Sequence, residues 1–177
     1  AIANGRVEKR NAAVVGRPDR ASPQLETVIR AANFNPTWTA PLSILRKDIM
    51  PKVQQNPGYL AEMGMRVLQG NVEVPPTSVN WNPAVAPNFT VRQDPGPKNA
   101  LGEMRFDMPN KHAVYLHDTP KRELFAGDVR FHSSGCVRVV DVRGFAEWLL
   151  RETPGWSRAR IDETVASAQR VDVKLAK

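Results

Sequence analysis

The chemistry that this sequence can perform depends first on its single cysteine. Cys136 lies in FHSSGCVRVVD, residues 131–141, where a glycine and two serines precede it and Arg138 follows. A cysteine becomes a nucleophile when a base takes its proton or a positive charge stabilises its thiolate. Backbone N–H groups at Gly135 and Cys136 suit an oxyanion hole, because glycine lets a substrate approach the main chain. The pattern indicates acyl transfer on sulfur; the alternative is a small buried thiol without reactivity.

Three histidines are candidates for the base: His112, His117 and His132. Side chains alternate between the faces of a strand, so in the predicted strand 112–117 His112 points away from the face that His117 shares with Tyr115. His117 also ends that strand at a loop, where catalytic side chains are commonly presented. We therefore predict His117 as the base, against the alternative that it only caps a strand edge. His132 is either an orienting group or a surface residue.

The other polar residues near the thiol have two interpretations each. Arg138 shares a face with Cys136 in an extended chain, where it holds a substrate carboxylate or lowers the pKa of the thiol; the alternative is a structural ion pair. Ser133 and Ser134 either add hydrogen-bond donors or are ordinary turn residues. No metal site is expected, because the histidines and the cysteine match no CxxC or HxxxH spacing.

Short strands and helices must position these residues. Strands are predicted at 7–16 (two, around a polar break), 65–70, 88–93, 103–108, 112–117 and 170–176. Helices are predicted at 20–32 with Ser22 as N-cap, at 141–152 with Asp141 as N-cap, and at 157–169. Residues 36–63 carry four prolines, each predicted to start or end a short helical turn, which favours an inserted subdomain that works as a flap. The pattern predicts a mixed, strand-rich α+β domain.

Composition narrows the functional classes. The net charge of +7 comes from 25 Lys and Arg against 18 Asp and Glu, scattered without a basic block, so we do not expect nucleic-acid binding. No apolar run approaches the roughly 20 residues that cross a bilayer. One cysteine excludes an internal disulfide and a four-cysteine zinc site. Because the sequence begins at Ala1, without Met and without a charged-then-apolar leader, we expect a piece of a longer protein.

A family resemblance begins at the motif. YLHDTPKRELFAGDVRFHSSGCVRVVD, residues 115–141, resembles the catalytic motif of the L,D-transpeptidases, which have the YkuD-type fold, and especially of their large periplasmic YcbB-like branch. His117 and Cys136 are 19 positions apart, and SSGCVRV stands where many relatives have SHGC. Ser134 departs from that broader pattern and agrees with the branch.

The resemblance extends from Val7 onward and includes the helical segment 33–60, which looks like the inserted lid of the branch, and the strands within 95–120. It implies a single L,D-transpeptidase catalytic domain over residues 1–177, with a helical lid or capping subdomain at about 36–80. The implied fold is α+β, with mixed β-sheets and a sandwich-like core.

The resemblance also implies an activity. In the family, the cysteine attacks the carbonyl of the third residue of a tetrapeptide stem, D-Ala leaves, and the acyl group passes to an amine, giving a 3–3 cross-link or the attachment of a lipoprotein or another protein. Carried over, Cys136 is the nucleophile, His117 is its base, and the backbone carbonyl near Asp118 orients the imidazole. Gly135 and Cys136 supply the oxyanion hole, with Ser134 beside them. Substrate-binding roles fall on Tyr115, Arg138 and Trp38, the last with the alternative of a core residue.

The same resemblance predicts the setting of the protein. It implies a periplasmic enzyme of cell-wall biogenesis and cell shape that carbapenems acylate, with no cofactor and no metal. Its partners would be peptidoglycan stems and, for some members, a lipoprotein or outer-membrane protein; we expect a monomer. The alternatives are a peptidoglycan-binding or scaffolding module without catalysis, and a sortase-like cysteine transpeptidase. The sequence lacks the TLxTC-like motif expected of a sortase, and a papain-type enzyme would place Cys before His.

Overall fold

A computed structural model describes residues 2–3 and 5–176 of the protein. Its strands are β1 (Ile2–Ala3), β2 (Arg6–Val7), β3 (Ala13–Gly16), β4 (Ala31–Phe34), β5 (Trp38–Thr39), β6 (Met65–Gln69), β7 (Val72–Val74), β8 (Thr90–Gln93), β9 (Met104–Asp107), β10 (Leu116–His117), β11 (Phe131–Ser133), β12 (Val137–Val139) and β13 (Val171–Lys174). Its α-helices are α1 (Leu42–Ile44), α2 (Met50–Gln55), α3 (Tyr59–Glu62), α4 (Val142–Leu150) and α5 (Arg158–Ala166). A π-helical turn at Leu45–Ile49 and three short 3₁₀ segments at 18–20, 76–78 and 122–125 complete the helical elements of the described residues.

The larger sheet places the predicted base beside the predicted nucleophile. Within the described residues its strands run in the order β11-β3-β12-β10-β9-β4-β13. Strand β10 pairs in parallel with β12, so that Leu116 faces Val137 and His117 faces Arg138. On its other side, β10 pairs antiparallel with β9. Because β12 begins directly after Cys136, this pairing holds the end of β10 next to the thiol.

Helices α4 and α5 cover one face of the larger sheet. Asp141 is the N-cap of α4, as predicted, and its side chain accepts a hydrogen bond from the Gly144 amide (3.2 Å). Ser157 caps α5 in the same way. The core between these helices and β4, β9 and β13 is apolar and consists of Ala32, Phe34, Met104, Phe106, Val142, Ala146, Leu150, Ile161 and Val173. The mixed sheets and few helices confirm the predicted α+β class.

A second lobe is inserted between β4 and β9, which are neighbours in the larger sheet. Strands β5, β8, β6 and β7 form its antiparallel sheet, and α1 to α3 pack against that sheet. The lobe has its own core, made of Trp38, Ala40, Leu45, Ile49, Met50, Val53, Leu60, Val67, Phe89, Val91 and Leu101. Since Phe89, Val91 and Leu101 belong to this core, the inserted lobe extends beyond residue 80.

The helical part of the lobe differs from the prediction at Pro51. Residues 42–55 form one helical run, because a π-helical turn at Leu45–Ile49 joins α1 to α2. The Met50 amide bonds the Leu45 carbonyl, five residues back, directly before the proline. Proline has no N–H to give an α-helical bond, and the wider turn accommodates that missing donor without ending the helix. Pro51 therefore lies inside a helix rather than at its end.

The predicted helix at 20–32 is wrong. Residues 21–30 contain no helix, and burial alternates along them, with Leu25, Thr27 and Ile29 facing inward. The Ser22 hydroxyl accepts from the Gly16 amide (3.0 Å) and donates to the Gly135 carbonyl (2.8 Å), so it does not cap a helix. The period is two rather than 3.6, as for any extended segment.

The strand predicted at 112–117 is also shorter in the structure. Only Leu116–His117 pairs in the sheet, and Ala113 has a φ of 51°, which breaks the extended chain. The other strand predictions are confirmed to within a few residues at their ends. Among the described residues, none of the helices is both long and apolar enough to span a bilayer.

Candidate active site

A small cavity between the two lobes brings the thiol and the imidazole together. Cys136, in the loop between β11 and β12, and His117, at the end of β10, both line this cavity, which has a volume of about 210 Å³. Trp38 and Ile44 line it from the inserted lobe, and Arg138 lines it from β12. The cavity is therefore built where the larger sheet meets the second lobe.

The hydrogen bond of His117 fixes its tautomer. The imidazole is 5% exposed, and its Nδ1 lies 2.5 Å from the Asp118 carbonyl oxygen. A carbonyl oxygen only accepts, so Nδ1 carries the proton and Nε2 keeps the lone pair that can take a proton from a thiol. Burial lowers the pKa of His117 to about 4, with the charge of Arg138 acting in the same direction. The imidazole is therefore neutral at physiological pH.

The thiol is also neutral at rest. Burial raises the pKa of Cys136 above its ordinary value, and this effect outweighs a hydrogen bond from the Tyr115 backbone and the charges of Arg138 and Arg105. A thiolate–imidazolium pair needs a low thiol pKa and a high imidazole pKa, and both are shifted the other way here. The site therefore favours proton transfer during the attack, with His117 as general base, over a preformed ion pair.

The Ser133 hydroxyl organises the loop that carries the thiol. Ser133 is 3% exposed; its Oγ donates to the Cys136 carbonyl (2.5 Å) and accepts from the Gly135 amide (3.1 Å). The Gly135 amide is thus already engaged, contrary to its predicted place in the oxyanion hole. No hydrogen bond within the described residues uses the Cys136 amide, which leaves it as the free donor. Gly135 has a φ of 119°, which a residue with a side chain rarely adopts.

Arg20 ties the same loop to the inserted lobe. Its Nη1 donates to Ser134 Oγ (3.1 Å) and to Asp48 Oδ2 (2.7 Å), in the π-helical turn of the lobe. The guanidinium is largely buried, with 16% of the side chain exposed. Ser134 itself is exposed and lines the cavity. Sequence reasoning did not single out Arg20, since nothing in its local pattern shows that residues 20, 48 and 134 meet.

Asp118 acts on the site through its backbone, and its side chain points elsewhere. The carboxylate accepts from the Glu103 amide (2.9 Å) and lies close to Gly102, where an added Cβ would be 2.3 Å from Oδ2. Burial raises its pKa, although hydrogen bonds from Glu103 and Thr119 oppose the effect. The carboxylate therefore holds the 102–103 turn against the end of β10.

Arg138 supplies an unpaired positive charge to the cavity. Within the described residues it forms no ion pair, and its buried Nε has no hydrogen-bond partner. Burial lowers its pKa, with Cys136 and Glu123 opposing that effect. The absence of an ion pair at Arg138 among the described residues argues against a structural ion pair and favours the interpretation that Arg138 binds a substrate carboxylate.

Tyr115 and Trp38 form one wall of the cavity. Both side chains line it, and burial raises the pKa of the Tyr115 hydroxyl to about 12. The Tyr115 ring meets the His117 ring edge-on at 5.8 Å between centroids. Trp38 is 8% exposed and belongs to the lobe core, while it also lines the cavity; its role in substrate binding stays a prediction.

Of the other two histidines, only His112 lies in a different place from the predicted one. His112 lines the cavity with Cys136, because the chain turns at Ala113 and does not continue as a strand. The prediction that alternation points His112 away from the site is therefore wrong. His132 is exposed, its Nε2 lies 3.1 Å from the Val129 carbonyl, and it does not line the cavity.

The chain is similar in sequence to known proteins. Residues 1–161 match the family described as the YkuD L,D-transpeptidase catalytic domain. A Haemophilus influenzae protein named "Putative L,D-transpeptidase" is 39% identical over 158 residues, which is 87% of this chain. The chain spans only 32% of the length of that relative.

Proposed function

Since the chain belongs to the YkuD family of L,D-transpeptidase catalytic domains, we propose that it is a cysteine acyltransferase which acts on peptidoglycan stems. The observation that carries the proposal is the shared cavity of Cys136 and His117, in which the Nε2 lone pair is free and the thiol is protonated. A module that only bound peptidoglycan would need neither a positioned base nor a free backbone amide beside the thiol.

The first step forms a thioester. His117 Nε2 takes the thiol proton as Cys136 Sγ attacks the carbonyl carbon of the third residue of a tetrapeptide stem. The Cys136 amide donates to the oxyanion of the tetrahedral intermediate. As the peptide C–N bond breaks, the imidazolium returns the proton to the leaving amine, and D-Ala departs. Arg138 binds a stem carboxylate and holds the carbonyl against the sulfur.

The second step transfers the acyl group. A neutral amine attacks the thioester carbon, a C–N bond forms, and the C–S bond breaks. His117 takes the proton of the amine and passes it to the departing sulfur, which restores the neutral thiol–imidazole pair. A side-chain amine of a second stem gives a 3–3 cross-link, and a lysine of a lipoprotein or an outer-membrane protein gives a protein attached to the wall. The chemistry uses only proton transfer and oxyanion stabilisation.

The inserted lobe supports a finer placement within the family. A lobe with its own core, inserted between β4 and β9 and lining the cavity through Trp38 and Ile44, supports the inserted lid that the resemblance to the YcbB-like branch implies. We place the enzyme in that branch and in the periplasm, as a monomer that contributes to cell-wall biogenesis and cell shape.

Covalent labelling tests the proposed function. The protein is incubated with a carbapenem, which acylates enzymes of this family, and its intact mass is measured. We expect one adduct per chain, none on Cys136→Ala, and a rate lowered about 10²–10⁴-fold in His117→Ala, the usual contribution of a positioned base. His132→Ala, outside the cavity, is the matched control and should react at the wild-type rate. An adduct retained by Cys136→Ala would refute the proposed nucleophile, and a fully unreactive wild-type protein would favour the binding module.

A further inference from the structure

A second cleft lies on the far side of the Trp38–Tyr115 wall from the cavity that contains Cys136 and His117, here called the catalytic cavity. It has a volume of about 570 Å³ and shares lining residues with the catalytic cavity, among them Trp38, Tyr115 and Leu101. The catalytic cavity, at about 210 Å³, is less than half as large. A transpeptidase must bind two peptides at once, and the smaller cavity cannot hold both.

The second cleft is basic. Arg92, Arg105 and Arg170 line it, and none of the described residues that line it is acidic. Two of these charges are neutralised nearby, because Arg105 pairs with Asp107 (2.7 Å) and Arg170 pairs with Asp172 (2.8 Å). The charge that remains is on Arg92.

Arg92 lacks the partners that its neighbour has. In the antiparallel pairing of β6 and β8 it lies directly opposite Arg66, and like charges in that position destabilise a sheet. Arg66 is compensated by Asp94 (2.7 Å) and Glu73 (3.2 Å). Within residues 2–3 and 5–176, Arg92 forms no ion pair, and its buried Nε has no hydrogen-bond partner. An unpaired guanidinium that costs stability and lines a cleft next to the site is typical of an anion-binding residue.

We propose that the second cleft is the subsite of the amine acceptor and that Arg92 binds a carboxylate of the acceptor peptide. The inference rests on the proposed function, because the acceptor is defined only by the transfer step. Arg138 lies beside Cys136 and binds the acyl donor, so among the described residues each of the two cavities has one lining arginine without an ion pair, and each of these arginines serves one of the two peptides. The shared Trp38–Tyr115 wall then separates the donor from the acceptor, and the acceptor amine reaches the thioester past this wall.

Transfer kinetics test the assignment. A tetrapeptide stem serves as donor, and a tripeptide stem ending on the diamino acid serves as acceptor, either with free carboxylates or with those carboxylates amidated. Arg92→Gln should raise the KM for the free acceptor about tenfold, the order expected for one charge-assisted pair, with an unchanged rate of Cys136 acylation. Amidation of the acceptor should raise the KM for the wild-type enzyme by a similar factor and add nothing further in Arg92→Gln.

Matched variants complete the test. Arg66→Gln removes the opposite arginine, which does not line the cleft, and should leave the KM of the acceptor unchanged. Arg92→Lys keeps the charge and should give an intermediate KM, which separates binding from a loss of folding. An unchanged acceptor KM in Arg92→Gln would overturn the proposal, as would a KM increase for the donor alone.

A binding measurement separates failure of this inference from failure of the proposed function. Calorimetric titration of the tripeptide into Cys136→Ser needs no chemistry, and Arg92→Gln in that background should weaken binding about tenfold. If wild-type Cys136 is never acylated but this difference is seen, the subsite stands as a carboxylate site and the transferase proposal fails. If Cys136 is acylated and the difference is absent, only the subsite proposal fails.

Discussion

The uncharged thiol–imidazole pair predicts an acylation reaction that tolerates acid. The relevant titration is that of His117, because a protonated imidazole cannot take the thiol proton. Burial lowers the pKa of His117 to about 4. At pH 5.5, an imidazole with the ordinary pKa of about 6.5 would be about 90% protonated, whereas His117 would be about 3% protonated. The acylation rate at pH 5.5 should therefore stay within about 5% of its plateau.

The assay is the rate of carbapenem adduct formation between pH 3.5 and 8, followed by intact mass. We expect the rate to fall to half near pH 4 on the acid side. A midpoint near pH 6.5 would refute the reasoning, since it would show an imidazole whose pKa is not shifted by burial. Arg138→Met provides a second check on the cause. It removes the positive charge that lowers the pKa of His117 and should move the acid midpoint toward neutral pH.

Alkylation measures the state of the thiol separately. Iodoacetamide reacts with thiolate, and burial raises the pKa of Cys136 above its ordinary value. Alkylation should therefore be slow at neutral pH and should still be rising with pH above the ordinary thiol pKa of about 8.5, while acylation is already on its plateau. Fast alkylation with a plateau near neutral pH would indicate a thiolate–imidazolium pair and would contradict the general-base mechanism.

Further changes test how the site is held. Between pH 6.5 and 4 the histidine at position 117 binds a proton in the unfolded chain but not in the folded protein. The free energy of unfolding of the wild-type protein should therefore fall by about 3 kcal/mol as the pH drops through that window. In His117→Gln, the free energy of unfolding from urea denaturation should depend less on pH. Gly102→Ala puts a Cβ 2.3 Å from Asp118 Oδ2 at a residue whose φ is 60°. The substitution should lower the free energy of unfolding in urea by about 1–3 kcal/mol, and it should also slow acylation of Cys136. A double-mutant cycle of Arg20→Gln and Asp48→Asn should show a coupling of about 1 kcal/mol in the free energy of unfolding. A coupling of zero would mean that this ion pair does not stabilise the contact between the inserted lobe and the rest of the protein.

Local sequence patterns predicted those features that depend on neighbouring residues. The strand-end position of His117 and the Asp141 N-cap each follow from a few adjacent side chains, and the structure contains both. The roles of the site residues are a different matter, since they depend on distances between segments far apart in the chain. Nothing local to Arg20 indicates that it meets Asp48 and Ser134, and nothing local to Arg92 indicates that its opposite neighbour is another arginine.

The failed predictions share a physical cause. Ser22 has the right neighbours for a helix N-cap, but its hydroxyl is used between Gly16 and Gly135, and those two tertiary bonds hold the chain extended. In that segment the tertiary hydrogen bonds outweigh the helix propensity of the sequence, as tertiary contacts commonly do. At His112 the error was to extend a period of two past Ala113, where a positive φ turns the chain.

The inserted lobe is a structural element as much as a cover for the site. Four prolines in residues 36–63 favoured a flap, yet Leu45, Ile49, Met50, Val53 and Leu60 are each at most 6% exposed in the lobe core. Truncating one such side chain typically costs about 2–5 kcal/mol, and a domain has only about 5–15 kcal/mol in total. The helical run 42–55 therefore cannot separate from the sheet of the inserted lobe and move as an independent flap. Any opening of the cavity must move the lobe as one body, and the Arg20 contacts to Asp48 and Ser134 lie where such a movement would be resisted.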